Sequence, residues 1–125
     1  MNSEKFSLKA RIKSFRYALK GLFSLFKFEH NSRIHGLLAV TAIILGILLK
    51  LNFHEWSLLA IVIGIVFISE LLNSSLESLA DIIDPELNER IMRAKDYSAA
   101  AVLIAAIVSI VVGGLIFIPK LLALF

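Results

Sequence analysis

The 125-residue chain contains no cysteine, which removes disulfides, thiolate nucleophiles and cysteine-bound zinc from consideration. Its glycines form no phosphate loop. There is no GxxxxGK[ST], and Gly21, Gly36 and Gly46 stand isolated in apolar or basic surroundings. Any nucleotide must therefore be held by side chains and metal. No GxSxG elbow exists, and Ser74-Ser75 has no histidine near it in sequence, which argues against a serine hydrolase. The three histidines, His30, His35 and His54, lack metal-type spacing and read as interfacial polar groups. Internal repeats and low-complexity tracts are absent. No N-terminal signal peptide is expected, because the first apolar run follows a long basic segment.

Apolar residues are plentiful. The chain is 58% hydrophobic with a mean hydropathy of +0.85, well beyond an ordinary soluble domain. One all-α domain, residues 1–125, is predicted: a surface helix over about 7–28 and membrane spans over about 34–52, 56–83 and 96–118. Gly36 to Leu49 is a short run, extended by Leu51 to Phe53 while Lys50 snorkels to the interface. The second span starts at Trp56, a candidate interfacial anchor. The third is the clearest, with Ala99 to Ile118 uncharged and closed by Pro119 and Lys120. Asp84-Pro85-Glu86 is the one strong turn signal, ending the second long helix.

In the N-terminal segment Leu8, Ile12, Phe15, Leu19, Leu22 and Phe26 form an apolar stripe beside a basic one, Lys9, Lys13, Arg16, Lys20 and Lys27. That pattern suits a helix lying among lipid headgroups, with a soluble partner as the plainer alternative. Eight of the thirteen Lys/Arg precede the first span, and Lys50 alone lies between spans one and two. Arg90, Arg93 and Lys95 fall in a loop over 82–96. The positive-inside rule puts the N-terminus and that loop in the cytoplasm of a multi-pass inner-membrane protein, with the 50–55 turn outside. No nucleic-acid partner is expected.

The most informative feature is a polar stripe on the second long helix. Glu70, Asn73, Glu77, Asp81 and Asp84 fall within an arc of about 80° at 100° per residue. Glu70 sits inside the apolar run Trp56–Leu72 and Asn73 directly follows it, at a depth where an acidic group costs on the order of 3 kcal/mol and usually marks a working site. The rest of the stripe runs on towards water. Such a stripe suits holding a hard cation and handling a proton. Glu29, at the turn into the first span, is either a helix-start carboxylate with Asn31 or Ser32 as N-cap, or a metal carboxylate brought beside Glu77. Lys95, followed by Asp96, is either a topology determinant or a phosphate-binding lysine facing Glu77 and Asp81 across a tight loop.

Glu70-Leu-Leu-Asn73-Ser-Ser-Leu-Glu77-Ser-Leu-Ala-Asp81, followed by Arg93-Ala-Lys95-Asp96-Tyr-Ser-Ala-Ala, resembles the signature of the prokaryotic diacylglycerol kinases. The similarity runs from about Tyr17 to the end of the third span. It implies a small integral-membrane lipid kinase with a surface helix and three spans, working as a homotrimeric helical bundle with composite sites. By the same resemblance Glu70 is the general base, and Glu29 and Glu77 hold Mg²⁺. Asn73, Asp81, Lys95 and Asp96 surround the ATP co-substrate, with Arg11 and Tyr17 reaching it from the surface helix. Glu29-His-Asn-Ser-Arg-Ile-His35, Glu55-Trp56 and Leu115-Ile-Phe-Ile-Pro119-Lys120-Leu121 are similar to the undecaprenol-kinase branch. The better-known diacylglycerol kinases carry an acidic residue where His35 stands, which favours undecaprenol over diacylglycerol as the lipid alcohol. A chain this short cannot wall off a site alone, so Glu29 and Glu70 are expected from different subunits. Two other classes fit some of these features: an oligomeric cation or proton pathway lined by the carboxylates, and a non-catalytic membrane adaptor.

Overall fold

A computed structural model describes residues 5–83 and 88–125. Four helices account for most of them: α1 (Leu8–Phe28), α2 (His30–Leu48), α3 (Phe53–Ile83) and α4 (Glu89–Leu122). Among the described residues there is no strand. The Asp84-Pro85-Glu86 turn, and with it the last member of the acidic stripe, lies outside the described residues. α2, α3 and α4 are each long and apolar enough to cross a membrane. At 1.5 Å per residue α3 and α4 run about 45–50 Å, well beyond a hydrocarbon layer of about 30 Å, so each must project into water.

The observed ends differ from the expected ones for identifiable reasons. α2 begins at His30 and stops at Leu48, so Lys50–Phe53 do not extend it. The stop is a Schellman turn: Leu51 N–H donates to Gly46 O (3.0 Å) and Lys50 N–H to Ile47 O (3.3 Å). Lys50 takes the left-handed conformation there, with φ 56°. Leu51 then folds back into the core. Asn52 opens α3 by a reciprocal cap. Its Oδ1 accepts from Glu55 N–H (2.9 Å), while Glu55 Oε1 accepts from Asn52 N–H (3.0 Å). The helix therefore starts at Phe53, ahead of Trp56. Trp56 is half-buried against Gly46 and Leu51 rather than free in the interface.

α4 also starts early, because Asn88 Oδ1 accepts from Arg90 N–H (2.9 Å) and caps it. Arg90, Arg93 and Lys95 thus belong to a helix and not to a loop. At the other end Pro119 lies within α4 and does not close it; the helix continues to Leu122. The segment after Pro119 is held by an ion pair, Lys120 Nζ to Glu55 Oε1 at 3.2 Å, which ties the end of α4 to the start of α3.

α3 packs most extensively on α4, with α2 lying on α3. A core of Leu51, Leu59, Val62 and Ile116 joins them at the Trp56 end. Yet only eight apolar residues are buried among the described ones, while side chains such as Ile61, Ile110 and Leu115 are well exposed. That surface suits lipid or neighbouring helices, not water. α1 touches this bundle only by its last turns. Leu8 to Phe23 are all exposed, Leu25 is buried, and Phe26 packs on Phe67 at 5.5 Å between ring centres. The apolar stripe of α1 is thus left outside the bundle, apart from its final residue.

Candidate active site

The α1–α2 junction positions the first group of site residues. α1 ends as Glu29 becomes extended (φ −104°, ψ 112°), and its amide donates to Leu25 O. Arg33, one turn into α2, folds back to donate to Phe26 O (2.7 Å) and Lys27 O, the free carbonyls at the end of α1. A cation at a helix C-terminus also suits the helix dipole. Arg33 therefore locks the bend between surface helix and span, beyond any role as a topological charge.

That bend makes Glu29 the N-cap residue of α2, but its carboxylate forms no cap hydrogen bond. Asn31 and Ser32 lie inside the helix, so neither is the N-cap expected from sequence. Glu29 is half-buried and lines a hydroxyl-rich cleft between α1 and α3 with Ser24, Ser74, Ser75 and Ser78. Ser74 and Ser78 share a face by their four-residue spacing, a signal present in the sequence but silent until α1 supplies the opposite wall.

Glu70 is 4% exposed and Ser32, facing it from α2, is fully buried. Ser32 Oγ and Glu70 Oε1 are both enclosed without a hydrogen-bond partner among the described residues. His35, one turn beyond Ser32, brings Nε2 to 3.3 Å from Glu70 Oε1. The ring is half-buried and meets a carboxylate, a contact that its spacing in the sequence did not signal. Glu29 and Glu77 both lie within electrostatic reach of Glu70. Ser32 and His35 of α2 thus border Glu70 of α3 within a single chain, and Glu29 and Glu77 of that chain lie near enough to act on its charge. The bend at Glu29 is what folds this residue back beside α3.

From Phe53 to Glu70 is about 25 Å of helix, most of the roughly 30 Å thickness of a hydrocarbon layer. Further along α3 the stripe is tied to α4. Asn73 Oδ1 accepts from Ser98 Oγ at 2.9 Å, and Lys95 Nζ meets Asp81 Oδ1 at 3.1 Å. The second pair is solvent-exposed on its Asp81 side, so it adds little stability. Asp96, Arg11 and Tyr17 are exposed and make no side-chain hydrogen bond or ion pair among the described residues.

No group of three or more His, Asp or Glu side chains converges into a complete metal cage among the described residues. Glu29 and Glu77 nonetheless fit a hard cation. Both are half-buried carboxylates within electrostatic reach of Glu70, and Glu29 has oxygens that no helix cap consumes among the described residues. Mg²⁺ is commonly held by one or two carboxylates, with substrate phosphates and water completing the shell.

The sequence profile of the prokaryotic diacylglycerol kinase family matches residues 16–117. An undecaprenol kinase of Bacillus subtilis is 37% identical over 109 residues, covering 87% of this chain and 89% of the relative. A diacylglycerol kinase of Synechocystis is 41% identical over 112 residues, covering 89% of this chain but 64% of that longer protein. The diacylglycerol kinase of Escherichia coli K12 is 36% identical over 100 residues, covering 80% and 82%.

Proposed function

This chain belongs to the prokaryotic diacylglycerol kinase family and is a lipid kinase of a prokaryotic membrane; on that premise we propose that its substrate is undecaprenol in preference to diacylglycerol. The reaction then moves the γ-phosphoryl group of ATP to the lipid hydroxyl at the cytoplasmic face, giving undecaprenyl phosphate. The observation that carries the chemistry is the buried carboxylate of Glu70, set near the end of the apolar run Trp56–Leu72 with Glu29 and Glu77 within electrostatic reach. A lipid hydroxyl reaches that depth from the bilayer, whereas ATP reaches it from water.

Each residue then has a distinct task. Glu70 accepts the hydroxyl proton as the lipid oxygen bonds to the γ-phosphorus and the bond to ADP breaks. Glu29 and Glu77 would hold Mg²⁺, which supplies charge neutralisation to the ATP phosphates when bound. Lys95, freed from Asp81, offsets charge on the phosphates, with Asn73, Asp81 and Asp96 around the nucleotide. Arg11 and Tyr17 contact it from α1. The excess of basic residues ahead of α2 favours a cytoplasmic N-terminus in the inner membrane. A homotrimer with shared sites follows from the family resemblance.

Identity values do not separate the two lipids, since relatives of both names match at similar levels. The undecaprenol assignment is supported by the Glu29–His35 stretch, the Glu55-Trp56 pair and the Leu115–Leu121 ending. Purified protein in mixed micelles, given labelled ATP and either undecaprenol or diacylglycerol, tests both levels. Faster labelling of undecaprenol is the expected result. Preference for diacylglycerol would overturn the lipid assignment alone. Labelling of neither alcohol, together with ion passage across liposomes, would instead favour a cation pathway.

A further inference from the structure

Glu70 works under an unusual constraint. Its side chain is enclosed, its Oε1 has no aligned hydrogen bond, and its two charged neighbours on the water side, Glu29 and Glu77, repel it. A carboxylate so placed is pushed by like charges and held by little. Two neighbouring groups on α2 oppose them, the Ser32 hydroxyl and the His35 imidazole, and His35 is the one that can carry a charge. His35 Nε2 stands 3.3 Å from Oε1, in a half-buried position that packing of α2 on α3 fixes. The same ring lines the apolar cleft formed with Val62, Val66, Phe67, Ser109 and Gly113, so it borders both that cleft and the carboxylate.

We propose that His35 is the positioning residue for Glu70: its Nε2–H holds Oε1, leaving Oε2 to face the lipid hydroxyl. This rests on Glu70 being the general base. The imidazole touches neither substrate nor phosphate in this arrangement and transfers no proton. Its task is to keep one carboxylate oxygen occupied so that the other stays aimed. Burial makes that restraint effective, because an electrostatic contact in a low-dielectric site is stronger than the same contact in water.

The test uses the full-length protein in mixed micelles with Mg²⁺, ATP and undecaprenol, comparing His35→Ala, His35→Asn and His35→Gln. A glutamine nitrogen reaches roughly the place of Nε2, whereas an asparagine nitrogen falls short. Ala and Asn should each lower kcat by roughly ten- to a hundredfold, the scale of misplacing a reacting group. KM for ATP should stay within about twofold, and Gln should recover most of the lost kcat. In a Glu70→Gln background the same His35 changes should add little, because the two residues act as a unit. Wild-type kcat in folded His35→Ala, or equal impairment of Asn and Gln, would overturn the proposal. If Ala does not fold, as judged by helicity and thermal transition, the contrast between Asn and Gln decides. Glu70→Gln with undiminished turnover would fail differently, by removing the base that His35 is proposed to hold.

Discussion

Glu29 and Glu77 approach the site from unlike positions: one is the extended residue between two helices, the other lies seven residues beyond Glu70 on the same helix. Losing either removes one hard oxygen ligand without changing side-chain size, if the replacement is Gln. Glu29→Gln and Glu77→Gln should each raise the Mg²⁺ concentration for half-maximal rate by roughly tenfold or more, with partial recovery at high Mg²⁺. A Mg²⁺ titration of initial rates checks this, and an unchanged midpoint in both variants would mean that the metal lies elsewhere. Much at this scale was legible beforehand. A carboxylate in an apolar run and others at helical spacing announce themselves through cost and periodicity. Ser32 and His35 were not legible in that way. They lie on α2 at i, i+3, and only the bend at Glu29 decides that this face meets Glu70. Neither residue type is costly enough at a span's end to stand out.

At the scale of elements, the turn between α2 and α3 is held by several interactions at once. The Schellman hydrogen bonds, the Asn52–Glu55 cap and the Glu55–Lys120 pair gather three helix ends at one membrane face. Gly46 is what lets them close. A Cβ there would stand 2.7 Å from Trp56 Cη2 and 2.9 Å from Leu51 Cδ1, both already packed in the core. Gly46→Ala should therefore destabilise the protein by about 1–3 kcal/mol of overpacking, less the roughly 1 kcal/mol that alanine gains over glycine in a helix. Thermal unfolding in detergent gives the sign. Trp56→Phe, which withdraws the nearest ring atom, should recover part of the loss when combined with it. An additive double variant would show that the two side chains do not compete for this space. Helix existence could be read from hydropathy because long apolar runs demand internal backbone hydrogen bonding in lipid. Helix ends could not, because they depend on capping residues such as Asn52 and Asn88 and on Pro119, which the last turns of α4 accommodate.

For the whole molecule, the question is which residues can come from a neighbouring chain. Glu29 and Glu77 lie within electrostatic reach of Glu70 in one subunit, and Asn73–Ser98 and Lys95–Asp81 join α3 to α4 in that same subunit. Arg11 and Tyr17 are placed otherwise. They lie on the part of α1 that packs on nothing in its own bundle, and Arg11 is about 27 Å of helix from Glu29. If these residues contact ATP, the geometry favours the site of an adjacent subunit or an approach by α1 along the membrane surface. Mixed oligomers separate the cases. Glu70→Gln subunits combined with Arg11→Ala subunits should regain activity above either parent, because one class of site would take an intact Glu70 from one chain and an intact Arg11 from the other. Glu70→Gln combined with Glu29→Gln should regain none, because every site would lack one of two residues that must come from the same chain. Subunit exchange is verified first with differently tagged wild-type chains. Recovery in the second mixture would break the single-chain cluster. With Arg11→Ala itself impaired, absence of recovery in the first would assign Arg11 to its own subunit's site or to the headgroup layer against which the exposed face of α1 is suited to lie.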